Sequence, residues 1–230
     1  MSAGVVTPPA VRTDPPTGTA RTTGLLYLGL ALTGLLGFLI VRPQVFDPDD
    51  ASSTLAHLVD DEALARAGIA LELGVVLTQA LVALWFYLLF RAVDAFAAGA
   101  IAVFGMVNAA AILGSAAFLA SALEVALDPV GDAAADAQLL YVVSDNLWGV
   151  GALFFGLWLI PMGVCVLRSG RMPRLLGRLL VAGGIGYVLS GFVRYLAPDA
   201  GIVADLLAVP ASLGEFWMIG YLLLRGAGRS

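Results

Sequence analysis

The chain has 230 residues, of which 60% are hydrophobic and 13% are charged, and its formal net charge is −5. A soluble domain carries about 25% charged residues, so this composition excludes an ordinary soluble protein and indicates an integral membrane protein. All twelve basic residues are arginine. This usage, with abundant alanine and glycine, suggests a high-GC bacterial genome and therefore the bacterial inner membrane.

Six runs are long enough to cross a bilayer, because a membrane-spanning helix needs about 20 mostly apolar residues. They are residues 24–41, 64–90, 95–123, 139–167, 175–196 and 203–224. The runs are too long and too continuous for the alternating strands of a membrane barrel. We therefore predict an all-α fold, a six-helix transmembrane bundle, with the lipid bilayer as its partner.

The bundle is assigned to residues 24–226, with a tail on each side. Residues 1–23 are rich in proline and threonine and cannot bury a core, so we predict that they are disordered. Residues 227–230 form a short C-terminal tail. Because five comparable runs follow the first, we interpret the first as a membrane anchor and not as a signal peptide.

The loop after the first run contains a second helical signal. Leu55, Leu58 and Val59 follow helical spacing after a series of capping residues, which predicts a short amphipathic helix at the outer interface. His57, the single histidine, lies in this segment. A haem held by two histidines within the bundle is therefore excluded. The single cysteine, Cys165, lies in an apolar run and is interpreted as a small buried hydrophobic residue.

Arginine is distributed unequally between the two sides of the predicted bundle. Nine arginines fall on one side, at positions 12, 21, 91, 168, 171, 174, 178, 225 and 229. Arg42, Arg66 and Arg194 fall on the other side, together with most of the acidic residues. Cytoplasmic loops are enriched in arginine, so we predict that both termini are cytoplasmic and that the acidic loops lie outside.

The arginine-rich sequence "RSGRMPR" predicts a tight hairpin between the fourth and fifth runs. Gly170 suits the left-handed position after a helix, and Pro173 suits the first turn of the next one. We interpret the arginines at 168, 171, 174 and 178 mainly as topology determinants, with anionic lipid headgroups as a secondary contact.

Several polar residues lie inside the apolar runs, where ionisable groups are costly and normally face the bundle interior or a watered cavity. The candidate site residues are Glu72, Gln79, Asn108, Asp145, Asn146, Tyr187, Arg194 and Glu215. At ~1.5 Å per residue, these side chains converge on the outer half of the bundle. Glu215 lies near mid-depth, where a carboxyl is expected to be neutral unless a cation or bound solvent holds it ionised.

Two interpretations of these residues remain open. In the first, Glu215, Glu72, Asp145 and Arg194 line an outward-facing pocket for a small polar ligand, a cation or a proton. In the second, the polar residues form a hydrogen-bonded knot that fixes helix register. Directly bonded side chains favour the knot, whereas a solvent-sized void between them favours the pocket.

Individual residues also have simpler structural interpretations. Arg194 can pair with Asp205 or extend to the interface. Asp145 can be the first-turn acid of a helix that begins later than residue 139, and Glu72 can be interfacial. Asn108 and Ser115 can join helices through hydrogen bonds.

Three quoted segments resemble a known membrane family. They are "RTTGLLYL" in the first run, "FFGLWLIPMGVCVLRSGRMPRLLGRLLVAGGIGYVLSGF" across the fourth and fifth, and "GE" in the last. They resemble the bacterial membrane family catalogued as domain of unknown function 4386, over about residues 21–225. The resemblance implies six membrane helices and no assigned activity. The proline-rich segment before Arg21 departs from the family pattern.

The sequence does not indicate an enzyme, because no protease, hydrolase or nucleotide-binding motif and no paired-cysteine metal site occurs. No cofactor and no nucleic-acid partner is expected. We expect a membrane protein that binds or carries a small polar ligand, cation or proton. The alternative is a sensor or an accessory subunit with a protein partner, in which the buried polar residues serve packing alone.

Overall fold

The computed structural model describes residues 17–226, which contain helices and no strand. The α-helices are α1 (Thr17–Gly34), α2 (Arg42–Val45), α3 (Ala51–Asp60), α4 (Glu62–Phe90), α5 (Ala95–Leu127), α6 (Ala133–Ser169), α7 (Arg174–Leu196) and α8 (Gly201–Arg225). A π-helical segment, Leu35–Val41, joins α1 to α2, and a 3₁₀ turn, Pro198–Ala200, precedes α8. Within the described part, six helices are long and apolar enough to cross a membrane, which confirms the predicted bundle.

Two helices, α1 and α6, begin six or more residues earlier than the sequence predicted. Residues 17–23, which we assigned to the disordered tail, belong to α1, because Ala20 and Thr23 are fully buried against the bundle. Residues 1–16 and 227–230 lie outside the described residues. Helix α6 begins at Ala133 and not at 139, because the Asp132 side chain accepts a hydrogen bond from the backbone N–H of Ala135 at 3.2 Å and caps the helix.

The membrane helices form a closed ring. Each packs against the next in the chain, and α1 packs against both α4 and α8. Tyr27, Phe86 and Trp158 meet edge-on at the centre, with ring centroids 5.4, 5.5 and 5.8 Å apart. Such edge-on pairs are favoured by the quadrupole of aromatic rings. This aromatic centre fixes the position of α1 relative to α4 and α6.

One end of the bundle, formed by residues 42–62, 124–136 and 194–205, is called the acidic end. Helix α3 lies here, as the sequence predicted, and Asp50 caps it by accepting from the N–H groups of Ser52 and Ser53 at 2.8 and 3.1 Å. Leu58 is fully buried in a cluster with residues of α5 and α6. The helix is therefore packed on the bundle through its apolar face.

The opposite end, formed by residues 17–23, 90–95, 168–178 and 225–226, is called the arginine end. Gly170 ends α6 with φ +65°, the left-handed conformation that the sequence predicted. Pro173 is the residue directly before α7 and not part of its first turn. Asp94 caps α5 and pairs with Arg168. The backbone N–H of Ala97 and the Arg168 guanidinium lower the pKa of Asp94 below its ordinary value.

Candidate functional site

The π-helical segment positions the polar residues at the acidic end. It spans Leu35–Val41 and is followed directly by Arg42, whose side chain is only 8% exposed. A π-helical turn is wider than an α-helical one and is frequent at functional sites. Here the segment both lines a cleft and carries the chain to a buried arginine.

Arg42 lies between two carboxylates on different helices. Its Nη1 is 3.6 Å from Oε1 of Glu72 on α4, and its Nη2 is 3.5 Å from Oδ1 of Asp145 on α6. Nη2 also donates to the carbonyl of Tyr141 at 3.3 Å and to the hydroxyl of Ser144 at 3.4 Å. The buried cation thus joins the first membrane helix to α4 and α6.

Further hydrogen bonds extend this group of residues. The indole N–H of Trp148 donates to Oε1 of Glu72 at 3.0 Å, and the hydroxyls of Ser115 and Ser144 are 2.7 Å apart. We call the six residues the Arg42 cluster: Arg42, Glu72, Ser115, Ser144, Asp145 and Trp148. Because its members bond to one another directly, the cluster has the geometry that we expected of a register-fixing knot.

A cleft lies on the other side of Trp148, between α1 with its π segment and helices α6, α7 and α8. It consists of an inner cavity of about 240 Å³ and an outer cavity of about 380 Å³ towards the acidic end. Five residues line both cavities: Gly34, Leu35, Trp148, Phe155 and Tyr187. The outer cavity is in the range of small-molecule sites, about 300–1,000 Å³, and the inner cavity is somewhat smaller.

Glu215 lies on the wall of the inner cavity and is partly exposed. Its Oε1 accepts a hydrogen bond from the Tyr27 hydroxyl at 2.5 Å, the one hydrogen bond that residues 17–226 give to this side chain. The other walls include aromatic side chains, at positions 27, 148, 155, 187 and 216. A carboxyl group therefore faces a void that is walled by both aromatic and aliphatic side chains.

Four predicted site residues line the cleft, but they are not all free. Glu215 lines the inner cavity, Asp145 and Arg194 line the outer one, and Tyr187 lines both. Arg194 pairs with Asp205 at 2.7 Å, as its simpler interpretation required. Asp145 lies well inside α6, which begins at Ala133, so it is not a first-turn acid.

The other four predicted residues lie away from the cleft. Glu72 is 6% exposed, belongs to the Arg42 cluster and is therefore not interfacial. Asn146 is exposed and donates to the carbonyl of Val142 in its own helix at 3.0 Å. Gln79 and Asn108 are each 1% exposed.

The buried amides are incompletely bonded within the described residues. Oε1 of Gln79 and both amide atoms of Asn108 have no hydrogen-bond partner there. The expected interhelical bond is thus present for Ser115, which bonds Ser144, and is not found for Asn108. In the same part of the chain, no group of three His, Cys, Asp or Glu side chains is arranged to hold a metal ion.

The sequence analysis missed Arg42 and Tyr27. Arg42 follows an apolar run, so we counted it among the outer loop residues, although an arginine beside a predicted stripe of acids was a signal for pairing. Tyr27 stands in an otherwise apolar stretch, "GLLYLGLAL". Its hydroxyl was a signal for a buried partner.

Comparison with known proteins identifies the family of the chain. The model of the family described as Domain of unknown function (DUF4386) matches residues 22–226. The chain belongs to this family. An uncharacterized protein of Archaeoglobus fulgidus is 27% identical over 92 residues, which cover 38% of this chain and 54% of that protein. The chain thus spans about half the length of that curated relative. No solved structure matches the chain.

Proposed function

We propose that this DUF4386-family membrane protein binds a small cation in the cleft, with Glu215 as the anionic contact. The observation that carries the proposal is the position of Glu215, which faces a cavity of about 240 Å³ and bonds to Tyr27 alone among residues 17–226. A carboxyl group within a membrane helix is retained at a cost. An ion that pairs with it offsets that cost.

The aromatic walls favour an organic cation of the ammonium type. Tyr27, Trp148, Phe155, Tyr187 and Phe216 line the inner cavity with Glu215. Ring faces attract cations by roughly 0.5–2 kcal/mol each, and aromatic cages are the usual recognition site of quaternary ammonium groups. Metal ions prefer several oxygen ligands instead, and among the described residues Glu215 is the single carboxylate that lines this cavity.

The role we propose is binding or carriage and not catalysis, in a bacterial inner membrane. The arginine distribution supports an acidic end on the outside, and in that orientation the outer cavity would open towards the exterior.

A second role, as a sensor or accessory subunit without a ligand, is favoured by one observation. The Arg42 cluster is bonded directly from helix to helix, which is what a purely structural network requires. The two proposals give the buried polar residues different roles. In the first, the Arg42 cluster supports the wall of a ligand-binding cleft. In the second, the polar residues fix helix packing and bind no ligand.

The test is thermal unfolding of the purified protein in detergent, from about pH 4.5 to 9, with a panel of small cations, neutral isosteres and anions. At a hundred-fold excess over Kd, a ligand stabilises the native state by about 2.7 kcal/mol. At about 2–4 °C per kcal/mol for a chain of this size, Tm rises by about 5–11 °C. We expect tetramethylammonium to raise Tm and tert-butyl alcohol, a neutral molecule of the same tetrahedral shape, not to.

Two glutamine variants complete the test. Glu215→Gln should lose the response, and Glu124→Gln should keep it, because Glu124 is an exposed carboxylate on α5 outside the cleft. If no cation raises Tm but the pH profile changes in Glu215→Gln alone, Glu215 binds a proton. If both variants match the wild type throughout, the accessory role is supported instead.

A further inference from the structure

We propose that the cleft takes its ligand from the bilayer, and that the ligand is an amphiphilic ammonium ion whose apolar chain leaves between α1 and α8. This inference rests on the proposed function, because it assigns the charged group of the ligand to Glu215. It adds the chemical class of the ligand and its direction of entry.

The first step is the separation of α1 and α8 on the side of their contact that faces the acidic end. They meet near the arginine end, where a Cβ on Gly24 would lie 3.0 Å from Cβ of Leu222. Tyr27 and Glu215 then join them by a hydrogen bond. Towards the acidic end, α8 is held against α7, since a Cβ on Gly186 would lie 2.2 Å from the carbonyl oxygen of Leu207. The inner cavity occupies the gap that this leaves beside α1.

The second step is the exposure of the residues at the rim of the gap. Leu35 on the π segment and Phe216 on α8 both line the inner cavity, and they are 39% and 56% exposed. Two large apolar side chains therefore lie at the open edge of the cleft. Within a bilayer, exposed apolar side chains contact lipid chains, which are as apolar as leucine.

The third step is the arrangement of charge and apolar surface. Glu215 lines the inner cavity together with the exposed apolar side chains of Leu35 and Phe216. A hydrophilic cation would have to cross apolar surface to enter by this open edge, the mouth of the cleft. An ammonium ion with an alkyl chain matches both the carboxylate and the apolar surface, because its charge contacts Glu215 while its chain stays in lipid.

The experiment measures binding of a trimethylammonium series, from methyl to octyl, to the full chain in phosphatidylglycerol nanodiscs by equilibrium dialysis. Empty nanodiscs give the correction for partition into lipid. Referred to the free aqueous concentration, Kd should fall by up to about fourfold for each added methylene, the fold-change that corresponds to about 0.8 kcal/mol. Glu215→Gln should weaken binding of every member at least tenfold.

A matched pair of variants tests the mouth. Leu35→Trp narrows it and should weaken binding of the octyl compound at least tenfold more than that of tetramethylammonium. Leu32→Trp, an equally lipid-exposed change on α1 outside the cleft, should leave the ratio unchanged. At a constant fraction of phosphatidylglycerol, weaker octyl binding when phosphatidylcholine replaces phosphatidylethanolamine would show that a lipid headgroup with a quaternary ammonium occupies the same site, which supports the same chemistry with a lipid as its source.

The outcomes separate the two proposals. If Kd is constant along the series while tetramethylammonium still binds in a Glu215-dependent way, the ligand enters from water, and the inference of lateral entry is wrong while the proposed function stands. If no member binds in a Glu215-dependent way, the proposed function is wrong and the inference fails with it.

Discussion

Replacing Arg42 by methionine removes the cation of the Arg42 cluster while keeping most of its volume. The carboxylate of Glu72, 6% exposed and 3.6 Å from Nη1, then loses its charge partner. At an effective dielectric constant of ~20, the gross attraction at that distance is about 4–5 kcal/mol. The separation exceeds the ~2.7–2.9 Å of an ideal charge-assisted bond. We therefore predict a loss near the lower limit of the ~3–5 kcal/mol found when a buried pair is broken.

The exposed pair of Arg66 and Glu62 provides the control. Its atoms are closer, at 2.6 Å, but the side chains are 62% and 43% exposed. Such a pair contributes about 0–1 kcal/mol, so Arg66→Met should change the free energy of unfolding far less than Arg42→Met. A larger effect at Arg66 would mean that distance, and not burial, decides the energy.

The assay is steric-trap unfolding in bicelles for wild type, Arg42→Met, Glu72→Gln and the double variant. Because the double variant leaves no unpaired charge at this pair, its cost should be smaller than the sum of the single costs by about 1–3 kcal/mol. Costs that add within about 0.5 kcal/mol would refute the idea that the two residues stabilise each other.

Two further predictions concern the ends of the bundle and its glycine contacts. The backbone amide at the start of α5 and the guanidinium of Arg168 lower the pKa of Asp94. The stability that Asp94 contributes is therefore complete above the ordinary aspartate pKa near 4 and is lost as the pH falls further. Below about pH 4, the stability of Asp94→Asn should depend less on pH than that of the wild type in an acid-unfolding experiment. Gly186→Ala would place a Cβ 2.2 Å from the carbonyl oxygen of Leu207, which should cost about 1–3 kcal/mol and lower Tm in a thermal melt. Gly191→Ala meets open space and should raise stability by up to ~1 kcal/mol; equal effects of the two alanines would contradict the packing of α7 on α8.

The architecture was predictable because membrane helices leave a strong signal in composition. Each run had to satisfy its own backbone in lipid, so length and apolarity were sufficient to find six helices. The short helix α3 was predictable from Asp50 and the spacing of Leu58. The start of α1 at Thr17 was not, because Ala20 and Thr23 are buried by contacts with distant helices that local composition does not reveal.

The candidate site was predictable in part. The position of Glu215 near the middle of a predicted membrane helix was enough to indicate that its carboxyl group is energetically costly there. The sequence could not show that Trp148 separates Glu72 from the cleft, or that Arg42 turns inward after the π segment. Both depend on how helices rotate about their axes, which a single sequence leaves open. Similarly, Asp145 pairs with Arg42, whereas the adjacent Asn146 bonds within its own helix, to the carbonyl of Val142.

The central claim is that Glu215 is the anionic contact of a cation site, and calorimetric titration of tetramethylammonium into the protein in nanodiscs tests it most directly. We predict saturable binding at one site per chain, weakened at least tenfold in Glu215→Gln and unchanged in Glu124→Gln, because a charge contact in a desolvated site contributes roughly 2–5 kcal/mol. Equal heats for wild type and Glu215→Gln would contradict the claim, whether tetramethylammonium binds or not.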